Sequence, residues 1–359
     1  MRAEAILNET MCHIGATELR DYATRVFEAV GLSGDHAACV ADNLVLADLR
    51  GIDSHGVTRI PIYAERLQRG VVNATPALRA EHEGGPLVVV DGDNGPGAVV
   101  GRYAVDLAIE AARKHGIGAA LAHSSNHFGI CAYYALRATE QNCLAIVMTN
   151  SPPSMAVHGS AEPGVGTNPF AFAAPVQGRK PVVLDFASSV VARGKIVEKA
   201  KKGEPIPEGW ALDKAGRPTT SAKAAEEGTV LPFAGPKGSG LGLLVDILCG
   251  VLTGAAFGPL ISNLYNDFEN PQNIGHFFLV IDPGAVATDG EFEKRNAQFA
   301  AHIKSLRAAA GFAEILLPGE PEDRFADRHA AQGIPLSVTT MQALRDFSRP
   351  LGIPFPLDK

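Results

Sequence analysis

The chain is predicted to be an α/β protein with helical segments at both ends, and three observations predict it. Short apolar runs rich in Val, Ile and Phe recur between residues 86 and 189 and again at 275–283. Amphipathic stretches at helical spacing stand between them, most clearly "AVVGRYAVDLAIEAARKHG" at 98–116. Before residue 80 and after residue 290 the pattern holds only helical stripes.

With 359 residues the chain exceeds one comfortable hydrophobic core, so more than one substructure is expected. We divide it into a helical segment over 1–80 that packs with helices of 290–359, an α/β core over 81–289, and an excursion at about 190–235. Apolar residues make up 46 % and charged residues 20 %, which is ordinary for a globular protein. The net charge is -7 and the densest basic run is "EKAKK" at 198–202, a solvated helix face, so no nucleic-acid partner is expected. Cysteines at 12, 39, 131, 143 and 249 form no CxxC pair, which points to reduced, mostly buried thiols and a cytoplasmic location. The opening "MRAEAILNETMCH" lacks the apolar centre of a signal peptide. The most apolar run, 240–258, contains Asp246 and five glycines and reads as a buried helix rather than a membrane span.

In chain order, residues 17–30 place apolar side chains at 19, 23, 26, 27 and 30, with Thr17 as N-cap and Gly31 beyond the end. Residues 35–50 repeat that arrangement between Asp35 and Gly51, and 61–70 form a third short helix ended by Gly70. A strand at 86–93 leads to the helix at 98–116, then come a strand at 117–125 and a helix at 128–142. Strands follow at 143–151, 169–176 and 181–189. Residues 201–235 carry Gly, Pro, Asp and Lys with weak periodicity and read as a long loop. The helix at 240–258, a strand at 275–283 and helices at 291–309 and 341–352 complete the pattern.

Five stretches carry candidate chemistry. Gly95, Gly97 and Gly101 follow a strand and open a helix, as in a dinucleotide turn. Their spacing is one residue too long, and the next strand ends in His and Ser instead of a ribose-binding acid, so plain strand-to-helix geometry is the better account. No GxxxxGK[ST] occurs. "LRGIDSHGVTR" (49–59) sets His55 and Arg59 four apart, on one face if the segment is helical. A guanidinium can hold a carboxylate and a nearby imidazole can pass a proton, with Ser54 orienting one of them. Asp53 and Ser54 would equally serve as N-caps of a plain helix start. "HSSNHFG" (123–129) lies between a strand end and a helix start, where Asn126 and His127 could cap the helix and Gly129 admit a ligand. His123 and His127 also raise a zinc site, with His158 or Glu162 as third ligand, and with it a hydrolase reading. "GVGTNPFAF" (164–172) with "LDFASS" (184–189) could wall a cofactor or form a tight hairpin. Lys237 stands among glycines at the start of the 240–258 helix, a place suited to phosphate or carboxylate.

Taken in order, "DLRGIDSHGVTR…Y…L..G", "SNHFG", "GTNPFAFAAP", "LDFASSVVARGKI", "IPEGWALDKAGRPTT", "PFAGPKGSGLGLLVDILCGVLTGA" and "LLPGE" closely resemble the malate/L-lactate dehydrogenase family, over about residues 15–325. That resemblance implies a non-Rossmann NAD(P)-binding fold with a mixed, largely antiparallel sheet, in which the glycine turn at 95–101 is a decoy. It implies a homodimer with its active site near the subunit interface. The implied reaction exchanges hydride between a nicotinamide (NAD or NADP) and C2 of a small carboxylic acid, a 2-hydroxy/2-oxo acid; a cyclic-imine reductase of the same family is the alternative. Carried over by position, His55, with Ser54 beside it, and His127 are the implied proton-handling residues, and Arg59 is the carboxylate anchor, with Asn126 and Ser151 lining the substrate. His127, Phe128, Gly129, Asn168, Asp185, Phe186, Ala187, Lys237, Gly238, Gly319, Glu320 and Pro321 match cofactor-contacting positions. Lys195 stands where some imine reductases of the family carry an aspartate, which counts against that alternative. The implied reaction needs no metal and no membrane. A binding protein that kept the fold but lost activity is a third class, opposed by the intact set of His55, Arg59, His127 and Lys237.

Overall fold

The computed structural model describes residues 11–81, 84–288 and 290–358. At its centre is a seven-stranded sheet. In chain order its strands are β2 (Arg79–Glu81), β3 (Leu87–Asp91), β4 (Ile117–Ser125), β5 (Leu144–Thr149), β8 (Phe170–Ala174), β9 (Val182–Phe186) and β12 (Ile274–Ile281). Across the sheet the order is β2-β3-β4-β12-β5-β8-β9. Only β3 and β4 run parallel; every other neighbouring pair is antiparallel. The sheet is therefore mixed and largely antiparallel, as the sequence resemblance implied.

Side-chain alternation assigns the two faces of the sheet. Val147, Ala171, Phe278 and Val280 point into the main core. They meet helices α4 (Gly97–His115) and α5 (Cys131–Glu140) there. Helix α4 buries Ala104, Val105, Ala108, Ile109 and Ala112 at helical spacing and stops at Gly116, in the left-handed region at φ 82°. Ile146, Met148, Phe170 and Phe277 point the other way, toward Val245 and Cys249 of helix α8 (Pro236–Asp246) and the π turn Ile247–Val251 that continues it.

The N-terminal segment supplies α1 (Ala16–Ala29), α2 (Gly34–Leu49) and α3 (Ile60–Gln68). Strand β1 (Met11–Ile14) pairs antiparallel with β13 (Ile334–Ser337). Ile14, Leu19, Tyr22, Phe27 and Leu44 share one cluster with Leu336, Met341, Leu344 and Phe355, the middle two from helix α11 (Val338–Ser348). Helix α9 (Glu291–Ser305) lies elsewhere: Asn296 Nδ2 donates to the Pro175 carbonyl at 2.9 Å, just beyond β8. Helix α10 (Glu320–Gln332) escaped the sequence reading because it buries only His329 and so shows no apolar stripe.

The excursion is not a loop. Strands β6 (Met155–Ala156), β7 (Pro163–Val165), β10 (Ala211–Leu212) and β11 (Thr229–Val230) form a four-stranded sheet in the order β10-β11-β6-β7. Helices α6 (Arg193–Lys202) and α7 (Ala222–Glu227) cover it around a small core of Met155, Val165, Ile196, Ile206 and Val230. Strands of two or three residues are too short to show a period, and β11 pairs with β6 from far away in sequence. Among the described residues no helix is long and apolar enough to cross a membrane.

The glycines of the 95–101 turn serve packing. A Cβ on Gly95 would come within 2.8 Å of Pro76, and one on Gly101 within 2.7 Å of the Tyr134 ring. On Gly97 it would sit 2.0 Å from the Asn126 carbonyl oxygen and 2.6 Å from the His127 backbone. The space a pyrophosphate would need is filled by the loop that carries His127. Gly97→Ala is therefore expected to lose about 3 kcal/mol of stability by overpacking, whereas Gly85→Ala, with nothing within 4 Å of its Cβ, should stay within about 0.5 kcal/mol of the parent. Urea unfolding of both variants checks this; equal losses would refute the packing role.

Candidate active site

The stretch after α2 is not the α-helical face that the His55–Arg59 spacing allows. Asp53–His55 and Val57–Arg59 form two separate 3-10 turns, with Gly56 extended between them at φ -86° and ψ -153°. A buried carboxylate imposes the break. Asp48 accepts the Val57 N–H at 2.8 Å, and a Cβ on Gly56 would lie 1.8 Å from an Asp48 oxygen. Burial pushes the Asp48 carboxyl well above its ordinary range, against the pull of the Val57 N–H. The double turn folds its side chains together. Arg59 Nε donates to the Ser54 carbonyl at 2.7 Å, and its guanidinium lies 5.2 Å from the centre of the Tyr265 ring. Ser54 Oγ is 2.9 Å from His55 Nδ1.

The "SNHFG" loop brings the second histidine to the same place. The Asn126 amide is buried and donates to Asn94 and to the Gly95 carbonyl, so it anchors the loop instead of capping α5. The start of α5 is met by Asp185, whose carboxylate accepts the Ala132 N–H at 2.8 Å. Asn43 of α2 donates to the Phe128 carbonyl at 3.1 Å. Gly129, at φ 82°, has no room for a Cβ, which would stand 1.8 Å from Asn43 Oδ1. Phe128 stacks on His276 at 4.4 Å and 7°, and His276 is itself held between Thr149 and Ser125 at 2.8 Å each.

The result is a cluster of Ser54, His55, Arg59, Tyr63 and His127. The two imidazoles stack with centroids 5.5 Å apart at 23°. Tyr63 Oη lies 2.5 Å from His127 Nδ1. Burial first, and the Arg59 charge second, lower the proton affinity of both rings, that of His55 to about 3 and that of His127 well below its ordinary value. Arg59 is the cation of the cluster. Both histidines are neutral near pH 7 and can accept a proton.

The other predicted residues fall into two regions. Asp185, Gly319 and Pro321 line a pocket of about 340 Å³ together with Arg50, Ile52 and Glu322. Glu320 sits beside it, but its carboxylate is taken by Lys304, Arg179 and the Leu317 N–H, which hold it near 2 although burial pushes it up. On the other side Asn168 is fully buried. Its amide accepts the Ser151 N–H at 3.1 Å and donates to the Gly242 carbonyl and to Asp246. Asn168 thus holds the backbone at Ser151. Phe186 packs between Phe170 and Phe233, with Ala187 next in the chain. Gly238 lets α8 approach, since its Cβ would meet the Phe233 carbonyl at 2.5 Å, and Lys237 is exposed in the first turn of α8. The zinc set does not assemble: His123 Nδ1 faces Ser124 at 2.9 Å, His127 faces Tyr63, and no three His, Cys, Asp or Glu side chains converge among the described residues.

The sequence reading gave no role to Asn43, Asp48, Tyr63 or Tyr265. Asn43 and Asp48 carry a usable signal, because they are polar residues on the buried side of an otherwise apolar helix. Tyr63 stands one helical turn beyond Arg59.

Residues 14–345 match the family model described as "Malate/L-lactate dehydrogenase". The malate dehydrogenase of Pyrococcus abyssi is 39 % identical over 98 % of this chain and 99 % of its own length. The ureidoglycolate dehydrogenase (NAD(+)) of Escherichia coli K12 is 36 % identical over 85 % of this chain and 86 % of its own. The solved sulfolactate dehydrogenase of Methanocaldococcus jannaschii superposes with a TM-score of 0.90 at 36 % identity, covering 95 % of this chain and 98 % of that one.

Burial raises the Asp185 carboxyl to about 6, so the folded protein holds this proton more tightly than the unfolded chain does. The contribution to stability is therefore full below about pH 4 and is lost as pH rises through about 6. Asp185→Asn keeps an acceptor for the Ala132 N–H. It should exceed the parent by on the order of 1 kcal/mol at pH 8, discounted for solvent screening, and match it at pH 4. Thermal unfolding across that range checks the sign; a variant less stable at pH 8 would reverse it.

Proposed function

The chain belongs to the malate/L-lactate dehydrogenase family, and we propose that it reduces the C2 carbonyl of a small 2-oxo acid, and oxidises the 2-hydroxy acid, at the Ser54–His55–Arg59–His127 cluster. The observation that carries this reading is the joining of one guanidinium with two stacked neutral imidazoles, 5.5 Å apart, at one place. A 2-oxo acid has a carboxylate and, one bond away, an oxygen that must gain a proton. That cluster offers a group for each.

The pocket around Asp185, Gly319 and Pro321 suits part of a dinucleotide. Gly319, at φ 92°, has no space for a side chain against Val183, and the buried Nε of Arg50 has no partner among the described residues. When bound, the nicotinamide supplies the hydride for C2. NAD and NADP both remain candidates. Arg59 receives the substrate carboxylate, and its planar fork fixes the neighbouring C2. The same contact changes the histidines. Burial is the larger cause of their low proton affinity and the Arg59 charge the second; a bound carboxylate cancels the second, so His55 holds a proton more readily once the acid is in place. His55, steadied through Nδ1 by Ser54, delivers that proton to the oxygen left by hydride addition and withdraws it in the oxidative direction.

The reading extends to a second copy of the chain. Leu244, Ile247, Val251 and Leu252 of α8 and its π turn are 43–57 % exposed, with Leu260 and Tyr265 beside them in sequence at 63 % and 56 %. An apolar patch of this kind belongs in an interface. Tyr265 reaches from it to Arg59, so a homodimer would close around the active site.

Three outcomes are expected. His55→Ala should lower kcat at least about 100-fold while reduced cofactor still binds by fluorescence; full turnover would remove the role. Arg59→Lys should raise the KM for the acid by about tenfold or more, beyond any change for the cofactor; an unchanged KM would refute the anchor. Ile247→Asp should sediment as a monomer with reduced activity, and a dimeric variant would overturn the interface. A panel of 2-oxo acids with sulfonate, ureido and second-carboxylate groups, plus a cyclic imine, run with both reduced cofactors, identifies the substrate; a flat panel with tight cofactor binding would favour a binding protein.

A further inference from the structure

We infer that Tyr63 is a positioning residue that sets the tautomer of His127, so that the neutral ring keeps its proton on Nε2 and offers the substrate oxygen an N–H. The inference deepens the reductase reading above and rests on it for the word substrate; the tautomer itself does not depend on it.

Two donors meet at one nitrogen. The Gly129 N–H lies 3.3 Å from His127 Nδ1. A backbone amide can only donate, so Nδ1 must present its lone pair and the proton of the neutral ring belongs to Nε2. The Tyr63 hydroxyl lies 2.5 Å from the same nitrogen, and beside an amide that already donates it must donate as well. Nε2 takes no protein partner among the described residues. The donors come from separate elements with separate supports. Gly129 is set by Asn43, which donates to the Phe128 carbonyl. Tyr63 is set by α3, whose Ile60, Ala64 and Leu67 are buried against the N-terminal core.

The surroundings keep the ring neutral. Arg59, His55 and His276 all oppose a positive charge on His127. Donation from Tyr63 to Nδ1 acts in the same direction, because it favours the unprotonated nitrogen. A neutral imidazole N–H polarises a carbonyl and holds the oxygen as charge develops on it, without gaining or losing a proton. The two stacked histidines then divide the work: His127 holds the oxygen and His55 delivers the proton.

The test uses the full chain with ¹⁵N-labelled histidine, as parent and as Tyr63→Phe, which keeps the ring's packing. Long-range ¹H–¹⁵N spectra, with the His127 signal identified by its loss in His127→Gln, should show the Nε2–H pattern in the parent. In Tyr63→Phe the Nδ1 signal should shift. The pH at which His127 titrates should rise by about one unit or more, since a donor to the neutral form is lost. The kcat should fall about tenfold, with less than about a threefold change in the KM for the acid. An Nδ1–H pattern in the parent would overturn the inference, and so would a Tyr63→Phe variant with an unchanged His127 signal and pH profile. A parent with the Nε2–H pattern that responds to Tyr63→Phe yet reduces no 2-oxo acid would uphold the tautomer and refute the reductase reading.

Discussion

The active-site cluster depends on polar side chains that helix α2 buries. Asn43 holds the Phe128 carbonyl and takes up the space beside Gly129, which sets the His127 loop. Asp48 holds the Val57 N–H and takes up the space beside Gly56, which sets the turn bearing His55 and Arg59. Arg50, just past the helix end, binds Asp323 of α10 at 2.9 Å, and the Asp48 carbonyl meets His329 on the same helix at 3.0 Å. One helix thus fixes both halves of the candidate cluster and ties them to the helix that begins at the Asp185 pocket.

This arrangement works against stability. Asp48 is a carboxyl group 2 % exposed, and Asn43 Oδ1 and Arg50 Nε are buried without a partner among the described residues. Each unsatisfied group of that kind costs about 1–3 kcal/mol. An apolar helix face would be more stable, but it could not hold two loops at chosen backbone atoms. A carboxylate accepts one particular N–H and an amide donates to one particular carbonyl, so they give direction where apolar packing gives only distance. The opposite wall uses the same means. Asp246 accepts from Asn150 and Asn168, and Asn168 in turn accepts the Ser151 N–H.

Charge is concentrated in the same economical way. Arg59 stands among Ser54, Tyr63 and two neutral histidines, and the carboxyls nearest in sequence, buried Asp48 and more exposed Asp53, are both pushed toward protonation by loss of solvent. A cation left without a close carboxylate among the described residues, in a half-buried cluster, favours an anionic ligand. The excursion closes round this point: Gly194 at the start of α6 comes within 3.9 Å of Ser54 when a Cβ is built on it. Helix α6, which packs on the small four-stranded sheet, therefore stands beside the turn that bears Ser54.

Much was legible in the sequence, because it follows from local pattern. Period-3.6 and short apolar runs located most of the large helices and central strands, and Gly116 marked the end of α4. Ser54, His55, Arg59 and His127 were singled out by residue type and motif order. Three things were not legible. Residues 53–59 form two 3-10 turns instead of an α-helix, because the deciding group, Asp48, acts through a side-chain bond that no periodicity records. The excursion's β11 pairs with β6 across tens of residues, and the strands of this sheet are too short to show alternation. The glycines at 95, 97 and 101 read as strand-to-helix geometry from their spacing, but the groups that fill the turn, Pro76, Asn126 and Tyr134, are visible only in the fold. The sequence by itself determined most of the large helices and central strands and which side chains are candidates for the chemistry, since both depend on residue identity and short-range spacing. Only the tertiary structure decided which glycines face protein, which buried carboxylate bends which turn, and that Tyr63 meets His127, since each of these rests on contacts between residues far apart in the chain.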